Sequence, residues 1–460
     1  MSGIHRERPR TSGDAVARTP GPRSDRGTGG DRARPVSRAA HRPVSIAAAA
    51  SSLRPADQVT IRRNNLALVL RTLHDDGPRS RAGVAAATGL NKATISRLVT
   101  ELIDRGLVIE GNIDRGGMGR PGRAVELDPS GVRFVGVELQ VDYIAGMVLD
   151  LGGRVLARRR IGRSMAELGP ARALGVVADV ARELVAESGS TITQVQSLHL
   201  AVPGLVDADA GMLSFAPNLH WHDVDIVHTL MGRLQWTDAR IGVDNDANMG
   251  AMAHSAVGDV SGTSNLLYLA GAVGVGAGMI VDGRIVRGAD GFAGEVGHMR
   301  VGPADRLCGC GRYGCWETEV GLAALLDMVA EPGEPARDER IDLGARLGHL
   351  TDRAAAGDAR VLDALADQAR WLGIGISILA NILNPDTIVL GGHYPVLRNY
   401  LEEPLIAELR ARVLAANAGM FRVKFSELGF EAASLGAAHT GIEQLIDDPT
   451  LARIGASARS

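Results

Sequence analysis

The chain has 460 residues, of which 45% are apolar and 22% charged, with a formal net charge of −3. That is enough for two or three domains with ordinary cores. No run of about 18 apolar residues occurs, so no membrane-spanning helix is predicted, and the N-terminus lacks the apolar stretch of a secretory signal. The three cysteines, Cys308, Cys310 and Cys315, are crowded into eight positions. A disulfide framework would spread an even number, so the pattern points to a reduced cytoplasm and a metal site.

Charge is unevenly spread. Residues 1–61 hold 11 arginines against 5 acidic residues, and residues 62–123 hold 11 lysines or arginines against 6. A basic front on an acidic remainder suits a polyanion bound at the front. Residues 1–57 are rich in Arg, Pro, Gly and Ser, and they read as a disordered extension. Taken alone, residues 1–61 read first as a solvated charged tail.

Residues 58–128 read as a winged helix-turn-helix. Leu66, Val69, Leu70 and Leu73 recur at helical spacing, and Asp75-Asp76-Gly77-Pro78 ends that helix. A short second helix follows Ser80, with Val84 and Ala87 turned inward, and stops at Gly89. Asn91 is the N-cap of a third helix. Its buried face is Ile95, Leu98, Val99, Leu102 and Ile103, and Gly106 closes it. Strands at Leu107–Ile109 and Ala124–Leu127, joined by a glycine-rich turn from Gly116 to Gly122, make a two-stranded wing. The exposed early turns of the third helix carry Asn91, Lys92, Thr94, Ser96 and Arg97, which suit base edges and phosphates in a DNA major groove. In Gly119-Arg120-Pro121 the backbone is narrow and extended, so Arg120 either enters a minor groove or ends a solvated turn.

From residue 129 the pattern changes. Strands are predicted at 134–139, 143–150, 155–161 and 197–202, with a helix at 171–187 and Pro203-Gly204 ending the fourth strand. Further strands fall at 241–243, 265–270 and 388–390, the last running into Gly391-Gly392, and a long helix at 363–383. This is α/β in two lobes, without a short internal repeat.

His298, Cys308, Cys310 and Cys315 offer one imidazole and three thiolates, the donor set of a tetrahedral structural zinc (Zn2+). Gly309, Gly311 and Gly314 would let this loop turn tightly. Four protein ligands leave no open position, so the ion would do no chemistry and would brace the backbone that carries a pocket.

Gly288-Ala289-Asp290-Gly291-Phe292-Ala293-Gly294-Glu295-Val296-Gly297-His298, followed by the cysteine loop and Glu317, closely resembles the ROK family of repressors and sugar kinases. Val243-Asp244-Asn245-Asp246-Ala247-Asn248, Ala201-Val202-Pro203-Gly204 and Ala216-Pro217-Asn218-Leu219 are similar to other segments of that family. The likeness runs from about residue 60 to the C-terminus, and the N-terminal domain makes the chain similar to the family's xylose-type and N-acetylglucosamine-type repressors. The resemblance implies that residues 129–460 form a two-lobed actin-like, sugar-kinase (ribonuclease H-like) ATPase fold. It also implies that Gly204, Asn218, Asn245, Asp246, Glu295, His298 and Glu317 hold a sugar, His298 giving one ring nitrogen to zinc and the other to a hydroxyl.

In the family's kinases the position of Asp246 is the general base. Those kinases open the domain with Asp-x-Gly-Gly-Thr, which holds phosphate and metal. Here the place reads Glu138-Leu139-Gln140-Val141-Asp142, so close backbone approach to a phosphate is lost. The second phosphate loop is kept in part, as Ala270-Gly271-Ala272-Val273-Gly274-Val275-Gly276, and Gly391-Gly392 persists near the family's adenosine site.

Together these readings predict a sugar-responsive, DNA-binding transcription regulator, a repressor of carbohydrate uptake or catabolism genes, with no catalysis. Its partners would be a double-stranded operator and a sugar or sugar phosphate, with no membrane. It would be a homodimer or dimer of dimers, because helix-turn-helix proteins read paired half-sites. The alternative is an active ATP-dependent sugar kinase with an appended DNA-binding domain and Asp246 as its base. A third is a sugar-independent DNA-binding protein with a relic domain.

Overall fold

A computed structural model describes residues 57–114, 122–338, 341–414 and 421–454. The wing turn with Arg120 and almost all of the Arg-rich extension lie outside the described residues. The first helix, α1 (Gln58–Asp76), is capped by Asp57, whose carboxylate accepts from Thr60 N at 2.7 Å. After β1 (Arg79–Ser80), α2 (Arg81–Thr88) starts from a Ser80 cap and α3 (Lys92–Asp104) from an Asn91 cap. The predicted stripe of α1 and Ile95, Leu98, Val99 and Leu102 of α3 are buried, and Ile103 is half-buried. Ala87 is exposed, contrary to the expectation. Val84 and its neighbour Ala85 supply the inward face of α2, with Thr88, four residues on from Val84, half-buried. The wing strands are β2 (Val108–Asp114) and β3 (Gly122–Leu127). The wing has three strands and not two, since β1 pairs with β3 through Arg79–Val125 and Ser80–Ala124.

Lobe I contains β4 (Arg133–Leu139), β5 (Tyr143–Leu149), β6 (Val155–Gly162), α4 (Gly169–Glu187) and β7 (Val195–Val202). A small antiparallel sheet follows, β8 (Leu205–Asp207), β9 (Met212–Ala216) and β10 (Trp221–Asp225), then α5 (Ile226–Leu234) and β11 (Arg240–Asn245). After α6 (Asp246–Ala256), lobe II contains β12 (Leu266–Gly271), β13 (Val275–Val281), β14 (Arg284–Ile285), α7 (Glu317–Val320) and α8 (Leu322–Val329). It continues with α9 (Leu343–Ala355), α10 (Ala359–Leu383), β15 (Thr387–Gly392), α11 (Arg398–Arg412) and β16 (Arg422–Phe425), and α12 (Ala432–Asp447) returns to lobe I.

The two main sheets have one topology. In the orders β6-β5-β4-β7-β11 and β14-β13-β12-β15-β16, three strands form an antiparallel meander and two run parallel to the first. Each sheet packs one face on its own apolar core. The other faces meet α6 and α12, which pack together through Met249 of α6 and the small Ala433 and Ala437 of α12, with Ala201 of β7 beside them. Gly436 lets them touch: a Cβ there would lie 1.7 Å from the Met249 carbonyl oxygen. Beyond the crossing, Ala438, Ile442, Leu445 and Ile446 of α12 share a core with Leu66, Val69, Leu70 and Leu73 of α1 and with Phe134 and Met147 of lobe I. No helix among the described residues is long and apolar enough to cross a membrane.

Candidate functional site

The recognition surface of α3 carries Asn91, Lys92, Ser96 and Arg97 exposed and Thr94 half-buried. Asn91 Oδ1 is committed to the cap, accepting from Thr94 N at 2.8 Å, which leaves its amide NH2 as the outward group. The main-chain oxygen of Ser96 accepts from Arg81 Nη1 and Thr100 Oγ1, both at 2.9 Å. Arg62, Arg71, Arg79, Arg81 and Arg105 of this domain are all ion-paired. Lys92 and Arg97 have no such partner among the described residues. Two uncompensated cations therefore flank a helix N-terminus, whose free amides add to the positive field.

In the cysteine loop, His298, Cys308, Cys310 and Cys315 bring one donor atom each to within 4.8 Å of one another. Cys310 Sγ and Cys315 Sγ are 3.7 Å apart, and Cys308 Sγ is 3.6 Å from His298 Nδ1. A tetrahedral metal with bonds of about 2.3 Å to sulfur has edges of about 3.8 Å, so the four residues fit an ion. Gly311 and Gly314 adopt φ of 82° and 74°, the left-handed turns the loop requires. Gly309 does not, and a Cβ there would meet Asn218 Oδ1 at 3.5 Å, an ordinary contact, so neither backbone nor packing demands glycine at this position.

His298 uses its two nitrogens on opposite sides. Nδ1 faces Cys308 and lies 3.6 Å from Glu317 Oε1, while Nε2 lies 3.7 Å from Glu295 Oε2. Glu317 also accepts from Cys308 Sγ at 2.8 Å. Burial raises the Glu295 carboxyl to about 7, helped by the charges of Asp246 and Glu317. Glu295, Glu317, His298 and Asp246 therefore converge. Asn218 stands by Glu317, both beside Gly274, where an added Cβ would lie 2.1 Å from Glu317 Oε2 and 3.7 Å from Asn218 Nδ2. Asn245 joins β11 to α6: its Oδ1 accepts from Ala247 N and Asn248 N, and its Nδ2 donates to Gly204 O at 3.1 Å. Contacts link all seven residues expected to hold a sugar into one group beside the cleft between the lobes, Gly204 through Asn245 and Asn218 through Glu317.

The opposite end of the cleft is filled. Gln140 Nε2 donates to Asp246 Oδ2 at 2.5 Å and to Glu138 Oε1 at 3.2 Å, so one neutral amide bridges two buried carboxylates. Tyr143 Oη donates to the same Glu138 oxygen at 2.6 Å. Burial pushes Glu138 up to about 7 and raises Asp246 as well. Asp142, where the kinase turn has Thr, instead pairs with Arg346 of α9 at 3.3 Å. Arg160 of β6 reaches Asp342, the N-cap of α9, at 3.2 Å and stacks over Tyr143 and Phe430. Two ion pairs thus strap the lobes together across a remaining cavity of about 40 Å³.

Sequence reasoning missed Arg287 and Asp244. Arg287 follows β14 in lobe II and donates from Nε and Nη2 to Asp244 Oδ2 at 3.1 and 2.6 Å. Asp244 precedes Asn245, and Arg287 precedes the glycine-rich loop that carries Glu295. The available signal was a charged residue inside the first motif, Asp244, and one abutting the second, Arg287.

A ROK family model matches residues 134–443, and a MarR family model matches residues 67–114. The xylose repressor of Caldicellulosiruptor bescii is 29% identical over 401 residues, covering 85% of this chain and 98% of its own. The crystal structure of a ROK family transcriptional regulator, a homologue of the Escherichia coli MLC protein, covers 85% of this chain and 98% of its own, with 26% identity and a TM-score of 0.68. The ROK family glucokinase of Streptomyces griseus, solved with glucose and AMPPNP, covers 67% of this chain and 98% of its own, with 26% identity and a TM-score of 0.56. The architecture is a winged helix-turn-helix followed by the two-lobed, actin-like sugar-kinase fold, and the chain belongs to the ROK family.

Proposed function

We propose that this protein is a sugar-responsive, DNA-binding transcriptional repressor that does not phosphorylate its ligand. The Gln140 bridge carries the reading. The carboxylates and amides of the sugar-facing end converge, while the side chain that replaces a kinase glycine engages Asp246 and fills the phosphate end. A general base must reach the hydroxyl it activates, and Asp246 is turned onto Gln140 instead. The exposed, unpaired Lys92 and Arg97 support DNA binding by α3, with Asn91, Thr94 and Ser96 beside them and Arg120 on the wing.

Gly204, Asn218, Asn245, Asp246, Glu295, His298 and Glu317 are the proposed sugar contacts. Zinc is the proposed ion of the His298–Cys308–Cys310–Cys315 cage, since three thiolates and an imidazole are its preferred donors. It supplies cross-linking alone; His298 Nε2 stays free to donate to a hydroxyl. A cytoplasmic homodimer or dimer of dimers reading paired half-sites completes the picture.

The test combines operator release with ATP turnover over common hexoses, pentoses and amino sugars. One sugar should release the operator without being phosphorylated, and Glu295→Ala should keep operator binding while losing the response. Steady ATP-dependent phosphorylation would replace this reading with the kinase one.

A further inference from the structure

A second cavity opens off the Glu317 end of the cleft, on the far side of the Ala272–Gly274 turn from Gln140. Its volume is about 470 Å³, and its lining begins with Asn218 and Glu317. One wall is the metal loop from Arg306 to Gly309, and the other is the outer face of α8, with Ala323, Ala324, Asp327 and Met328. Pockets of about 300–1,000 Å³ hold ligands well above the size of one pyranose ring.

We propose that this groove receives a second sugar unit, so that the effector is a neutral disaccharide or longer glycoside. The inference rests on the sugar reading of the cleft. Continuity supports it, because a ring held between Asp246 and Glu317 presents its Glu317-facing substituent directly to the groove. The wall chemistry supports it too. Leu307, which is 62% exposed, and Met328 are apolar surfaces suited to the C–H face of a pyranose. The Arg306 guanidinium lines the same space with N–H donors for its hydroxyl rim, and the Thr318 hydroxyl, which donates to Cys315 O at 2.7 Å, offers an acceptor.

Charge selects against a phosphate. The guanidinium of the lining, Arg306, is already paired with Glu319 at 3.2 Å, and the carboxyl groups of Glu317 and Asp327 line the same space. The groove is open because small residues line it: Gly309 leaves it clear on one side, Ala323 and Ala324 on the other.

The test is titration calorimetry on the full chain with three pairs: D-xylose and xylobiose, D-glucose and cellobiose, N-acetylglucosamine and chitobiose. In the pair that binds, the disaccharide should bind about tenfold more tightly or better. Ala323→Trp should cost the disaccharide about tenfold and leave the monosaccharide within about twofold. Met328→Ala, a milder change, should weaken the disaccharide alone. A monosaccharide that binds while its disaccharide binds more weakly or not at all overturns the groove and leaves the sugar reading standing. So does a disaccharide affinity indifferent to both substitutions. Silence from all six sugars removes the sugar reading and the groove with it.

Discussion

Replacing Arg287 by Met tests whether the lobes are tied together beside the ligand. The guanidinium reaches from lobe II to Asp244 at the end of β11, with both bonds on Oδ2. Oδ1 of Asp244 accepts from Asn245 N at 2.7 Å and Asn248 Nδ2 at 3.0 Å. The Asp244 side chain is 5% exposed and that of Arg287 39%. An exposed pair would contribute about 1 kcal/mol or less, and breaking a fully buried one costs about 3–5 kcal/mol. Asp244 keeps two donors when Arg287 goes, so Arg287→Met should cost about 2 kcal/mol. Asp244→Asn should cost about 1–2 kcal/mol, and the double variant less than the sum by about 1 kcal/mol.

Denaturant unfolding of the four proteins measures that coupling. Arg287 O also accepts from Ala293 N at 3.0 Å, so the pair fixes the start of the loop bearing Glu295 and His298. Sugar affinity should therefore fall about tenfold in Arg287→Met and partly recover in the double variant. Additive stability changes, or an unaltered sugar affinity, would refute the tie.

Three further predictions follow from other parts of the molecule. Arg97→Ala should cost about 1–3 kcal/mol of operator binding and leave sugar binding intact; loss of sugar binding in that variant would break the two-module picture. Burial lifts the Glu138 carboxyl from an ordinary 4.5 to about 7, so between those values the folded protein holds a proton that the unfolded chain lacks. Stability should then fall as pH rises through that window, by about 3 kcal/mol at most, and Glu138→Gln should flatten the thermal midpoint against pH; a variant as pH-dependent as the parent would discredit this assignment. Metal analysis should find about one zinc per chain, and Cys310→Ser or chelation should lower both the thermal midpoint and sugar affinity; protein purified without any metal, yet fully responsive, would contradict the bracing role.

Short-range signals were legible in the sequence. Ser80 and Asn91 cap α2 and α3 because a polar side chain and the amides it serves are three residues apart. The metal quartet was legible for the same reason, its three thiols being local and Gly311 and Gly314 between them taking left-handed turns. Long-range arrangements were not. β1 joins the wing only because β3 passes beside it, and two residues give no pattern. The duplicated lobe topology leaves no sequence repeat, since each sheet packs different partners. The loss of the glycine turn at 138–142 was visible, but not that Gln140 would bridge Glu138 and Asp246, because that contact spans 106 positions. α12 was missed as well. Its first half is small residues chosen by the crossing with α6, which blurs the apolar stripe that marks a helix.

The energetics of α12 decide what the DNA-reading domain moves with. Arg71 pairs with Glu443 and Asp447 at 2.8 and 2.9 Å, but these side chains are one-third to three-quarters exposed and contribute about 1 kcal/mol each at most. Ile442, Leu445 and Ile446 are fully buried against α1, at about 1.5–3 kcal/mol apiece. The apolar seam therefore dominates, and Arg105 adds to it by donating to the carbonyls of Thr450 and Ala452 just beyond α12. The winged helix-turn-helix, α12 and lobe I share that core, and among the described residues lobe II contributes nothing to it. A change in the angle between the lobes thus carries α3 with lobe I and displaces it relative to lobe II. Two copies joined through lobe II would convert cleft closure into a new spacing of their recognition helices, whereas copies joined through lobe I would not. For a ligand in the cleft to act on DNA, it must favour one lobe angle over the other, and the Arg160–Asp342, Arg346–Asp142 and Arg287–Asp244 pairs are ion pairs between the lobes that a change of angle would strain.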